Sequence, residues 1–95
     1  MSNYIEQVRA DLGKRIDVEP ALLDLYTRLG LTRGTQVTWE DVHDARGVWR
    51  TMTQPQHQSI VPFEDLSKRV QKMDQEYADA IKATALEINP RKITF

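Results

Sequence analysis

Pro20-Ala21-Leu22-Leu23-Asp24-Leu25-Tyr26-Thr27-Arg28-Leu29-Gly30 is the stretch that decides the fold. Leu22, Leu23, Leu25, Tyr26 and Leu29 recur at helical spacing and form a broad apolar face, the pattern of a helix that buries one side. Pro20 suits a first helical position, because the N–H it lacks has no intrahelical partner there, and Gly30 reads as the stop. Working back, Asn3 with Glu6 three positions on reads as an N-cap, and Ile5, Val8 and Leu12 keep the same period until Gly13. Working forward, Leu31 to Val37 contains Gly34 and suits a turn between helices better than a strand.

Thr38 opens a third helix, its hydroxyl placed to accept the Asp41 N–H, with Glu40 and Asp41 at the end where the helix dipole favours negative charge. Val42, Ala45, Trp49 and Met52 are expected on one buried face, and Gly47 marks either a close helix contact or an exposed position that tolerates glycine. Thr53 to Pro62 is the longest irregular segment and carries His57. Ser67 can cap the next helical turn, and Val70, Met73, Tyr77, Ile81, Thr84 and Ile88 run at spacings of three and four, with Asp74 as a possible cap for a restart. Asn89 and Pro90 end that helix, leaving Arg91 to Phe95 as a frayed tail or an arm that packs on a partner. The expected fold is all-α: one compact bundle of four to five helices over residues 1–95 with one long irregular loop.

Composition narrows the function. Ninety-five residues hold a single core, and so short a chain buries only about 60% of its unfolded surface, which favours self-association. Thirteen basic residues against fourteen acidic ones remove the broad attraction to phosphate backbones on which nucleic-acid binders depend. The absence of cysteine excludes disulfides and thiolate metal clusters and allows a reducing compartment, and no apolar run is long enough for a membrane span, so the expected location is cytoplasmic.

The chemistry-bearing residues do not assemble into a catalytic or metal-ligating pattern. His43 and His57 are the only histidines, no carboxylate spacing announces a zinc site, and no glycine-rich turn offers an oxyanion hole or phosphate cradle, so neither enzyme activity, metal nor cofactor is expected. A helix-turn-helix reading of the second and third helices fails because the recognition helix would present Glu40, Asp41 and Asp44 to phosphates. Arg46 and Arg50, four apart, can act as forks for an anion, although such pairs are commonly a solvated helix face.

Glu40-Asp41-Val42-His43-Asp44-Ala45, then His57-Gln58-Ser59-Ile60-Val61-Pro62-Phe63-Glu64-Asp65-Leu66, then Asp74, resemble the RyR domain, a small module repeated in ryanodine receptors and found alone in bacterial and phage proteins. The resemblance covers residues 38–88. It departs from the family at Arg46, where a tryptophan is usual, at Gln58 in place of proline, and in a shortened hairpin; residues 1–37 look like an extension seen in small actinobacterial and phage-type proteins. It implies either nucleotide-type recognition or a packing surface, with a histidine that can be structural and bond loop carbonyls.

Two functions are therefore expected from different classes. The first is a non-catalytic protein-interaction module, of the kind a phage uses to modulate a host protein, docking a partner or forming a homodimer through Trp39, Met52, Ile93 and Phe95. The alternative is a sensor or sequestering domain in which His43, Arg46, Trp49, Arg50 and His57 line a cleft between the third helix and the long loop and hold a nucleotide-like anion.

Overall fold

The computed structural model describes residues 3–57 and 60–88. Among them are four α-helices, α1 (Tyr4–Arg15), α2 (Pro20–Thr32), α3 (Trp39–Thr53) and α4 (Lys68–Ile88), two 3-10 turns at Gly34–Gln36 and Phe63–Asp65, and no strand. The all-α expectation holds, with four α-helices.

Local chemistry sets the helix starts. Asn3 Oδ1 accepts the Glu6 N–H at 2.8 Å and opens α1, and Pro20 occupies the first turn of α2. Thr38 and Asp41 form a reciprocal capping box on α3, each side chain accepting the other's backbone N–H at 3.1 and 2.9 Å. Ser67 Oγ accepts the Val70 N–H at 3.3 Å at the start of α4.

Two glycines expected to stop helices do not. α1 runs past Gly13 to Arg15 and α2 past Gly30 to Thr32. A Cβ on Gly30 would lie 3.6 Å from Val8 and 3.7 Å from Ile81, and one on Gly13 3.4 Å from Leu23. These glycines sit where helices approach closely, and packing outweighs a propensity cost of about 1 kcal/mol. Gly34, at φ +57°, is the one glycine in a left-handed conformation, and it turns the chain between α2 and α3.

α4 packs against α1, α2, α3 and the first 3-10 turn, so it is the central element. Leu12, Leu22, Tyr26, Val37, Val42, Ala78 and Ile81 form the buried cluster, and Tyr26 meets Tyr77 with ring centroids 5.6 Å apart. The buried face of α4 includes the expected Ile81 and Thr84, with Tyr77 packed against the core, and adds Asp74, Ala78 and Ala85, whereas Met73 is exposed. Asp74 caps no restart, because α4 is continuous through it. Met52 likewise leaves the expected inner face of α3 and is 67% exposed. α3 and α4 run antiparallel: Arg46 meets Asp74, and one to two turns nearer the start of α3 Trp39 lines the same cleft as Lys82.

Candidate functional site

Asp74 organises the inner side of α3. Its carboxylate is fully buried; Oδ1 accepts a hydrogen bond from Arg46 Nη2, and Oδ2 lies 3.9 Å from His43 Nδ1. Burial pushes the Asp74 carboxyl above the usual carboxylate range, against the opposing pull of the Arg46 and His43 charges. His43, itself buried, has Nε2 2.5 Å from the Val61 carbonyl, so this ring nitrogen carries the proton and donates it. The Asp74–His43–Val61 chain ties the loop after α3 to the core. Phe63 packs beside the His43 ring at 6.2 Å and edge-on to Trp39 at 6.4 Å, which continues the same attachment.

The five residues expected to hold an anion are thus committed elsewhere or apart. His43 and Arg46 converge on Asp74, and His43 also lines the groove between α3 and the loop. Trp49 Nε1 donates to Glu19 Oε2 at 2.7 Å, and the Arg50 guanidinium lies 4.6 Å over the Trp49 ring while donating to Gln54 Oε1 at 2.6 Å. His57 lies in the loop, its backbone N–H bonded to Gln54 O. Of the partner-binding set, Trp39 is exposed, edge-on to Phe63 beside a cleft of about 290 Å³, and Met52 is exposed. Ile93 and Phe95 lie outside the described residues, as does the tail from residue 89.

The outer side of α3 carries the cleft expected between this helix and the loop, with His43 among its lining residues and an apolar character that the sequence did not predict. An open groove of about 460 Å³ runs between α3 and the loop, floored by Asp44, Gly47, Val48 and Thr51 and walled by Ile60, Val61 and Pro62. Val48 is 53% exposed, and Met52, one turn on, extends its stripe. Nothing lies within 4 Å of a Cβ built on Gly47, so no helix contact explains this glycine; it lowers the groove floor to backbone level. Asp44 is exposed, and among the described residues it has no ion-pair partner. No group of three or more histidine, cysteine, aspartate or glutamate side chains able to hold a metal occurs among the described residues. No described helix is long and apolar enough to cross a membrane.

The fold and groove define a small four-helix module with an open groove beside α3. Residues 1–86 match the family model described as a domain of unknown function (DUF7701), and the chain belongs to that family. This corrects the resemblance to the RyR domain: the family found covers both sides of residue 37, and nothing points to the receptor module. The shared Asp-Val-His and Val-Pro-Phe pieces are explained here by local packing, since His43 bonds Val61 O and Phe63 packs on His43. No curated protein and no solved structure matches the chain.

Proposed function

We propose that this protein is a non-catalytic protein-interaction module whose docking face is the groove between α3 and the 60–62 segment. One observation carries the reading: Val48, Met52, Ile60 and Val61 are exposed apolar side chains, and three of them surround a groove deepened by a glycine that the fold does not need. The groove grades from the exposed Asp44 carboxylate, which has no ion-pair partner among the described residues, to apolar surface at Val48 and Met52. Its occupant is therefore an extended protein segment with a cationic residue followed by apolar ones. A nucleotide-type ligand has less support, because Arg46 is neutralised by Asp74 and Trp49 and Arg50 are bonded to neighbouring side chains.

A peptide-display selection against the full chain, with counter-selection on Val48→Asp, tests this. Enrichment of basic residues followed by alternating apolar positions is expected, with affinity lowered about a hundredfold by Val48→Asp, which would bury an unpaired charge. No enrichment, or peptides that bind the variant equally well, contradicts the reading.

A further inference from the structure

We infer that the groove receives residues Arg91–Phe95 of a second copy of this chain; this rests on the docking-face reading above and names its occupant. Asp44, Val48 and Met52 lie four residues apart on α3, hence about 6 Å apart along its axis. In an extended segment, residues two apart are separated by about 6.7 Å and point the same way. Arg91, Ile93 and Phe95 have that spacing and the matching chemistry: a cation for Asp44, which has no ion-pair partner among the described residues, then apolar side chains for Val48 and Met52, with Ile60 and Val61 as the facing wall. The opposite direction would set Phe95 on the carboxylate and Arg91 on Met52.

The chain's own tail cannot reach. α3 and α4 are antiparallel, with Lys82 level with Trp39, so Ile88 lies about 9 Å beyond Trp39 in the direction away from the groove. Asp44 lies about 7 Å the other way. The Arg91 side chain can span part of that gap, but Ile93 cannot reach Val48: five peptide links from Ile88 span at most about 18 Å, short of the roughly 22 Å between the levels of Ile88 and Val48. The contact is therefore between copies, and reciprocal insertion of two tails gives a twofold dimer.

Sedimentation equilibrium of full chains tests this. The unaltered chain is expected to dimerise. Val48→Asp, which spoils the groove, and the pair Ile93→Asp with Phe95→Asp, which spoils the tail, are each expected to weaken self-association about a hundredfold. Mixing the two kinds of variant restores one intact tail-in-groove contact and yields a heterodimer. Asp44→Lys weakens the dimer, and adding Arg91→Asp recovers it. A chain monomeric at all concentrations, or a dimer indifferent to the tail variants, overturns the inference. If peptide selection on the groove succeeds in either case, the docking-face reading stands without it; if selection also fails, both fall.

Discussion

Asp74 shows how much a single side chain decides. A carboxylate at 0% exposure is kept by Arg46 beside it, and removing one partner leaves the other charge buried and uncompensated. Arg46→Met or Asp74→Leu alone is expected to cost about 3–5 kcal/mol, while the double variant is at least as stable as the parent, as measured by chemical denaturation. Because burial raises the Asp74 pKa in the folded protein above 3.8, the folded state holds more protons than the unfolded one from that pH upward. Its contribution is thus fully present below pH 3.8 and is lost as pH rises through the raised value. Asp41 has the opposite sign. Burial works upward there too, but the Thr38 N–H and Arg33 hold the carboxyl below its usual value, so its contribution is present above pH 3.8 and lost as pH falls through the lowered one. Stability measured across this range should show the Asp74 slope in the parent and not in the double variant. Asp74 was legible in principle: it falls on the α4 stripe between Val70 and Ala78, where a carboxylate demands a buried cation. Read as a cap, it hid its partnership with Arg46, which two elements and 28 positions separate.

At the scale of elements, starts were readable and stops were not. Asn3, Pro20, Thr38 and Ser67 act through neighbours three residues away, and such local hydrogen bonds are written in the sequence. Gly13 and Gly30 depend on what packs against them, which only the assembled bundle supplies. Helix phase was legible for Val42, Ala45, Trp49, Tyr77, Ile81 and Thr84 and missed only at its edge, where Met52 and Met73 extend apolar stripes past the buried face. The glycines give a paired prediction. Gly34→Ala forces an alanine into a left-handed conformation and is expected to destabilise by about 1–2 kcal/mol. Gly47→Ala meets open space in a helix interior and is expected to stabilise by about 0.5–1 kcal/mol, while raising the groove floor and weakening peptide binding. Thermal unfolding of both variants, with peptide titration of the second, checks the pair; a Gly47→Ala chain that is more stable and binds undiminished would separate this glycine from docking.

For the molecule as a whole, the four helices enclose a modest core and leave apolar surface outside it, with Val48, Met52, Ile60 and Val61 gathered on one side of α3. Leu86, at 74% the most exposed large apolar residue among those described, stands apart on α4 and outside the groove, which makes it a control. A cleft between α3 and the loop was readable, but its apolar wall was not, because that needs Val61 pinned to α3 by His43 across 18 positions. The most direct test places a photo-crosslinking amino acid at position 48 of the full chain and, separately, at position 86, and maps the products by mass spectrometry. The account predicts crosslinks from position 48 to the 89–95 segment of a second copy, and few from position 86. Equal yields at the two positions, or products from position 48 that never include that segment, would contradict it.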